Sequence, residues 1–273
     1  MEPILCAHLL RKVDEKLLDL LDSLRPEEWD LPTLAPGWRV RDVAAHLLDT
    51  PLRKLSLVRD DCVVEPAVIR SPQDLAAMIN GLNREGVLVF RRLSPRVLIS
   101  LMRLACGESA KFHESLDPFA PAAFGVSWAG EEQSLNWFDT ARELTERWHH
   151  QQQIRHATGR PGILKPKFYH PVLDCFLRGL PHAYRDTAAA PGTIVRVEIA
   201  GDCGGSWQIR RTSAGWEMMR PEGRWDARVV VPQEIAWRIF TKGIAHDEAE
   251  RQVSVEGDRA LASQILALTA IVA

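Results

Sequence analysis

Three side chains of types that bind divalent metal ions stand in two short stretches of the sequence. His46 lies in RDVAAHLL, and Glu146 and His150 lie in TERWHHQQQIRHATGRPG. Positions four apart on an α-helix are separated by about 6 Å along the axis and about 40° around it, so Glu146 and His150 face the same way. Two imidazoles and a carboxylate form a common ligand set that leaves one metal position open, and chemistry would take place there.

The third ligand must come from another helix. His46 on a separate helix is a suitable donor, because helical bundles build metal sites from side chains that point inward. The neighbouring His149 is turned by about 100° from His150, so the two imidazoles should not bind one ion. Spacing alone leaves other interpretations open, since Glu-x-x-x-His pairs are usually solvated or ion-paired and a histidine among apolar residues is usually a hydrogen-bonded core residue.

Three further residues stand close to the proposed ligands in the sequence. Glu143 and Gln153 lie near the ligand face, one turn away on either side, where they could hydrogen-bond a ligand or touch substrate. Trp148 lies between the two ligands in the sequence and could form a wall of the pocket.

The elements that must position these residues are helical up to about residue 162. Apolar residues at helical spacing predict helices from Ile4 to Leu24, from Val40 with a kink or break at Pro51, from Leu75 to Leu93, after Pro95, and from Leu135 to Thr158. Gly159 followed by Pro161 is a stop signal for the last of these. Helices joined by loops favour an antiparallel bundle.

The character of the sequence changes after Leu164. A further helical piece precedes the β-like runs TIVRVEIAG, GSWQIRRT, GWEMMR and ARVVVP, which are separated by turns. The stretches QEIAWRIFTKGI, RQVSVEG and DRALASQILALTAIVA then predict a helix, a strand and a final helix capped by Asp258. We therefore expect an α+β protein with two domains, a helical bundle over residues 1–162 and a small α+β domain over residues 163–273.

Composition excludes several classes of function. The 34 basic and 36 acidic residues are interspersed, so no basic stripe indicates binding to nucleic acid or to an anionic membrane. No apolar run is long enough to span a bilayer, and the N-terminus does not resemble a signal peptide. Five widely spaced cysteines, none in a Cys-x-x-Cys pair, suit reduced thiols in a cytoplasmic protein and mostly core positions. A monomer and a homodimer both remain open.

Two strings carry a resemblance to a known family. LRPEEWDLPTLAPGWRVRDVAAHLLD and ELTERWHHQQQIRHATGRPG resemble the signature stretches of the mycothiol-dependent maleylpyruvate isomerase family, a branch of the DinB-like metal-binding bundles. The C-terminal strings WRIFTKGI and VEGDRALA resemble, more loosely, the sterol-carrier-like domain often attached to such bundles. The matching positions of the two signature stretches are Trp38, Val40, Arg41, Asp42, His46, Glu146, His150, Ile154, Arg155 and Gly159.

The resemblance implies a DinB-like up-down four-helix bundle that holds a divalent ion through His46, Glu146 and His150. Zinc is the first expectation, with nickel, cobalt, iron or manganese as alternatives. It also implies a thiol co-substrate such as mycothiol, whose thiolate is the nucleophile. Addition of the thiolate to an activated double bond, rotation and elimination would isomerise a small substrate, whereas stopping after addition would give an S-transferase.

A catalytic arginine is the other implication of the resemblance. The family is expected to use an arginine of the C-terminal region to bind a substrate carboxylate, and Arg238 is the first candidate here, ahead of Arg210 and Arg220. The same residue on an amphipathic helix could instead be solvated or structurally paired. Two positions depart from the family pattern, because Arg39 replaces a Ser or Thr cap and Gln153 stands where an acidic residue is common.

Rival functions follow from the same ligand set. Replacing the thiol by water would give a metal-dependent hydrolase. A structural metal in a protein that only binds a small ligand, or a relative that has lost its chemistry, would also fit. The sequence does not name the substrate.

Overall fold

The computed structural model describes residues 2–64 and 68–271 and divides the chain into two compact units. The helical unit comprises Leu5–Phe124 and Leu135–Ile163, and the second unit comprises residues 2–4, Gly125–Ser134 and Leu164–Ile271. The α+β class is as predicted. The division into domains 1–162 and 163–273 stays a prediction about independent folding. Among the helices within the described ranges, none is long and apolar enough to cross a bilayer.

The helical unit begins with α1 (Ala7–Asp22), whose apolar residues pack inward at the predicted spacing. Val13, Leu17 and Leu21 are buried in it. Asp14 is buried on the same helix, where the sequence pattern gives no reason for a carboxylate. A single 3-10 turn (Pro26–Asp30) and the bridge between Pro32 and Arg39 then lead to the second helix.

The second helix, α2 (Val40–Lys54), begins as predicted although Arg39 offers no capping hydroxyl. The Asp42 carboxylate accepts the backbone N–H of Arg39 at 2.9 Å, which satisfies one of the amides at this end. Pro51 does not interrupt the helix. The chain continues to Lys54 and then widens into a five-residue π-helical turn, Leu55–Arg59. The widened turn begins four residues after Pro51, whereas the hydrogen bond that a proline lacks is the one to the carbonyl four residues before it.

Three more helices complete the unit: α3 (Pro72–Phe90), α4 (Pro95–Ser115) and α5 (Asn136–Thr158). The hydroxyls of Ser71 and Ser94 cap the first two, and Gly159 ends α5 with a φ of +63°. Helix α1 packs against α4 and α5, and α2 packs against α3, α4 and α5. The core formed in this way brings the inner faces of α2 and α5 together.

The second unit is built on a five-stranded sheet in the order β3-β2-β1-β4-β5. Its strands are β1 (Ile194–Ala200), β2 (Gly205–Arg211), β3 (Trp216–Met219), β4 (Ala227–Pro232) and β5 (Ser254–Gly257). β1 and β4 are parallel, and the other neighbours are antiparallel. Val195, Val197 and Ile199 of β1 are buried, as their alternation predicts.

The helices of this unit are α6 (Pro166–Leu177), α7 (Leu180–Ala183), α8 (Gln233–Phe240), α9 (His246–Gln252) and α10 (Arg259–Ser263). Asp258 caps α10, as predicted, by accepting the N–H of Leu261. The predicted final helix is too long, because α10 gives way to a 3-10 turn, Gln264–Ala267, and the backbone N–H of Ala270 bonds to Phe240 instead. Residues 272–273 of that prediction lie outside the described residues.

Candidate metal centre

The helices α2 and α5 bring the three predicted ligands together. Nε2 of His46 lies 2.8 Å from Oε1 of Glu146, and Nε2 of His150 lies 3.2 Å from the same oxygen. One possible ligand atom from each residue lies within 4.8 Å of the others. Atoms at these distances can all reach one ion placed between them, since metal–nitrogen and metal–oxygen bonds are about 2 Å long.

Burial and charge favour the metal-binding protonation states of His46 and Glu146. His46 is 2% exposed, and its burial, with the neighbouring His150, lowers the pKa of its imidazole. Burial alone would raise the pKa of Glu146, but the charges and hydrogen bonds of His150 and His46 lower it well below its usual value. A neutral imidazole and an ionised carboxylate are the forms that coordinate a divalent ion.

Gln153 orients the third ligand. Its Oε1 lies 2.8 Å from Nδ1 of His150, so Nδ1–H donates to it and Nε2 is left as the lone-pair nitrogen on the side of Glu146. On His46, Nδ1 is buried and has no hydrogen-bond partner within the described part of the chain. The donor set therefore fits a divalent ion, with one imidazole oriented by a hydrogen bond and the other by packing.

Two aromatic rings pack against the ligand imidazoles. The ring centroid of Trp38 lies 5.1 Å from that of His46 and 6.2 Å from that of His150. The ring of His149 lies 3.9 Å from the ring of His150, while its Nδ1 donates to the carbonyl oxygen of Thr145 at 2.9 Å. His149 is thus held by its own helix, and Trp38 covers one side of the centre.

Glu143, predicted to support a ligand or touch substrate, lies in a buried group of charges. Its carboxylate is 3.4 Å from Nζ of Lys54 and 3.4 Å from Nε of Arg147. Burial alone would raise its pKa, but Lys54 and Arg147 lower it to about 2. Arg142 and Asp139 belong to the same group, since Asp139 accepts from Lys54 at 2.7 Å and pairs with Arg142 at 3.0 Å. The predicted role of Glu143 at the centre stays a prediction.

The other two predicted residues have well-defined local contacts. Trp148 is fully buried within the helical unit, and its indole N–H donates to the carbonyl oxygen of Ile163 at 3.1 Å. Arg238 lies on α8 of the second unit, where its Nε donates to the carbonyl oxygen of Gly243 at 3.1 Å and its Nη2 is 3.6 Å from Glu248. Their roles in a pocket and in catalysis stay predictions.

Sequence reasoning missed Lys54 and gave Trp38 no role beyond the family motif. Lys54 is 8% exposed in the structure. A lysine near the buried side of a helix that also carries Val43 and Leu47 could have been noticed, because such a residue requires a buried anion. Trp38 lies before α2 begins, so the spacing of apolar residues on a helix does not predict where its side chain packs.

A family comparison covers most of the helical unit. Residues 10–155, more than half of the chain, match the family described as Mycothiol maleylpyruvate isomerase N-terminal domain. Among curated proteins, the uncharacterized protein Rv0036c of Mycobacterium tuberculosis and its counterpart MT0041 in a second strain are each 27% identical over 207 residues, which is 72% of this chain and 74% of theirs.

Solved structures with a similar fold agree with this result. The crystal structure of a mycothiol-dependent maleylpyruvate isomerase aligns with a TM-score of 0.51 at 12% identity, and that of a mutant of such an enzyme aligns with 0.54 at 11% identity. Each alignment covers 92% of this chain and 91% of the other. At such low identity the likeness is one of fold.

Proposed function

The chain belongs to the mycothiol maleylpyruvate isomerase N-terminal domain family, and from this premise we propose that it is a metal-dependent enzyme that uses a low-molecular-weight thiol of the mycothiol type. Its reaction is isomerisation of, or S-transfer to, a small electrophile that bears a carboxylate. The single observation that carries the proposal is the convergence of His46, Glu146 and His150 to within 4.8 Å.

These three residues would hold the metal ion, with zinc as the first expectation. A bound divalent ion would supply the positive charge that stabilises a thiolate, the nucleophilic form of a thiol, at neutral pH. His46 contributes a neutral imidazole because it is buried, and Glu146 contributes a negative charge. Gln153 fixes the tautomer of His150 by accepting its Nδ1–H.

The protein's own cysteines are poor candidates for the reacting thiol. All five lie in the described part of the chain, none is in a disulfide there, and only Cys62 is exposed. Burial raises the pKa of Cys6 to about 12 and also raises that of Cys106. The thiols of Cys6 and Cys106 stay protonated and enclosed, which supports a thiol supplied from solution.

Isomerisation and transfer share their first step. The thiolate adds to one carbon of an activated double bond and the electron pair moves to the conjugated carbonyl, which leaves a single bond about which the substrate rotates. Expulsion of the thiolate then restores the double bond and gives the isomer. Protonation of the adduct carbon instead leaves the thioether, the product of a transferase. Arg238 stays a candidate for the cation that binds a substrate carboxylate.

The test begins with the metal content of the purified full-length protein. We expect one divalent ion per chain in the natural protein and its loss in His150→Ala. The protein is then loaded with cobalt and titrated with mycothiol, bacillithiol and glutathione. A change in the visible spectrum with one thiol identifies the co-substrate, because a sulfur ligand alters the cobalt absorption.

Two outcomes would contradict the proposal in different ways. Absence of bound metal in the natural protein, or its retention in His150→Ala, removes the centre itself. A loaded centre whose spectrum responds to none of the three thiols leaves the metal but removes the thiol chemistry, and favours a hydrolase or a structural ion.

A further inference from the structure

Two arginines continue the ligand-bearing faces of α2 and α5 beyond the candidate centre. Arg53 lies seven residues after His46, which is two turns along the same face of α2. Arg142 lies four residues before Glu146, which is one turn along the same face of α5. His46 of α2 meets Glu146 of α5, and the later residue Lys54 pairs with the earlier residues Asp139 and Glu143. The two helices therefore run antiparallel, and both arginines lie on the same side of the centre.

Each guanidinium is held by a carboxylate of its own helix. Nε of Arg53 lies 2.6 Å from Oδ2 of Asp49, and Nη2 donates to Oδ1 of Asn83 at 2.7 Å. Nε and Nη2 of Arg142 donate to Oδ1 of Asp139 at 3.1 and 3.0 Å. Within residues 2–64 and 68–271, Nη1 of neither arginine donates a hydrogen bond to the protein. The two groups are oriented and keep donors for another acceptor.

Their exposure sets them apart from the other cations of this region. Both side chains are 29% exposed, whereas those of Lys54 and Arg147 are 8% and 4% exposed. Lys54 and Arg147 are enclosed with their carboxylate partners, while Arg53 and Arg142 can meet a solute without first leaving those partners.

We propose that Arg53 and Arg142 form a subsite in the helical unit that binds a carboxylate of the substrate. The inference rests on the proposed function and deepens it, because it assigns substrate recognition to the two helices that carry the metal ligands. One to two turns of helix separate the backbone positions of these arginines from those of the ligands, roughly 5–11 Å along the axes, a distance that a long arginine side chain and a small substrate can bridge together. Guanidinium groups suit this task because their planar fork matches the geometry of a carboxylate.

The experiment measures binding of maleate to the zinc-loaded full chain by calorimetry, without thiol, so that no reaction occurs. Maleamide, its neutral diamide, serves as the uncharged probe. Arg53→Gln and Arg142→Gln should each weaken maleate binding roughly tenfold or more, since each removes a charged hydrogen-bond donor. Zinc content and any binding of maleamide should stay unchanged. The matched control is Arg103→Gln, which removes an exposed arginine paired with Asp22 in the same unit.

Arg142→Lys covers the case in which Arg142→Gln fails to fold. This substitution keeps a positive charge beside Asp139 but removes the planar guanidinium group. The variant should therefore retain zinc and still bind maleate more weakly than the natural protein. Unchanged maleate affinity in both Arg53→Gln and Arg142→Lys overturns the subsite, as does an equal loss in Arg103→Gln or no binding of maleate by the natural protein. Zinc content and the cobalt response to thiol are measured separately, so failure of the subsite is distinguishable from failure of the proposed function.

Discussion

Oε1 of Gln153 lies 2.8 Å from Nδ1 of His150, one turn earlier on the same helix. Gln153 is 4% exposed, so water does not compete freely for this hydrogen bond. The amide oxygen accepts the Nδ1 proton and leaves Nε2 as the basic nitrogen beside Glu146. The acidic residue expected here from the family resemblance would accept the same proton, so the amide oxygen of Gln153 can do the same task.

Replacing Gln153 with leucine is expected to weaken zinc binding by roughly 10- to 100-fold, the usual effect of losing a hydrogen bond to a metal-bound histidine. The imidazole would lose both its fixed tautomer and its orientation. Competition with a chromophoric chelator measures the affinity. Gln153→Glu should bind zinc at least as tightly as the natural protein, because a carboxylate accepts the proton more strongly.

Gln73→Leu is the matched control for that variant, since Gln73 is an exposed glutamine on α3 of the same unit. Its zinc affinity should equal that of the natural protein. Equal affinities for Gln153→Leu and Gln73→Leu would show that the hydrogen bond does not act on the metal site.

Arg147 is expected to be a major contributor to stability. It is 4% exposed and forms ion pairs with Asp14 and Glu143, and its Nη2 donates to Ser109 at 2.7 Å. Arg147→Met leaves two carboxylates buried without this cation, so the free energy of unfolding in urea should fall by about 3–5 kcal/mol. A loss below about 1 kcal/mol would contradict the assignment.

The control for Arg147 is an ion pair on the surface of the same unit. Arg103 lies 3.2 Å from Asp22, and both side chains are more than half exposed. Arg103→Met should lower the free energy of unfolding by no more than about 1 kcal/mol. Adding Asp14→Asn to Arg147→Met should recover part of the larger loss, because it removes the carboxylate that Arg147→Met leaves without its arginine partner, whereas Glu143 keeps Lys54.

Much of the fold follows from apolar spacing together with a few stop signals. The start of α2 at Val40, the end of α5 at Gly159 and the strand that contains Val195 and Val197 are all where the sequence predicts them. Helix α9 was not predicted, because only Ala249 is buried in it and it lacks an apolar stripe. The final helix was predicted too long because its apolar residues continue beyond Ser263 although the regular helix ends there.

The candidate site could be predicted from the sequence only in part. The spacing of Glu146 and His150 predicts that they share a helix face, but which other helix faces them depends on tertiary packing, so His46 needed the family resemblance. The buried charges of α5 were not predicted at all. Pattern rules assign charged residues to solvent, whereas Asp139, Glu143 and Arg147 satisfy each other inside the unit with the help of Lys54.

Trp38 is expected to stabilise the geometry of the centre, because its indole packs on both ligand imidazoles. Trp38→Ala should weaken zinc binding by roughly two- to tenfold, as expected for the loss of aromatic contacts worth about 0.5–1.5 kcal/mol. Trp38→Phe should retain most of the affinity. The control is Trp225→Ala, which removes a half-buried tryptophan of the second unit. Equal zinc affinity in Trp38→Ala and Trp225→Ala would exclude this role.

His113 should make the metal-free protein less stable in mild acid. The side chain is buried on α4 with its Nδ1 3.1 Å from Oγ1 of Thr140, and burial, followed by the charge of Lys54, lowers its pKa to about 3. Between an unfolded-state pKa of about 6.5 and this value, the unfolded chain binds a proton that the folded protein does not, so the unfolding free energy falls as the pH is lowered. The contribution of this residue is roughly 2 kcal/mol between pH 7 and pH 5.

Urea unfolding of the chelator-treated protein at both pH values measures this contribution. On acidification, the unfolding free energy of His113→Gln should fall by roughly 2 kcal/mol less than that of the natural protein, while His8→Gln, at an exposed position of α1, should behave as the natural protein does. An unchanged pH dependence in His113→Gln would disprove the assignment.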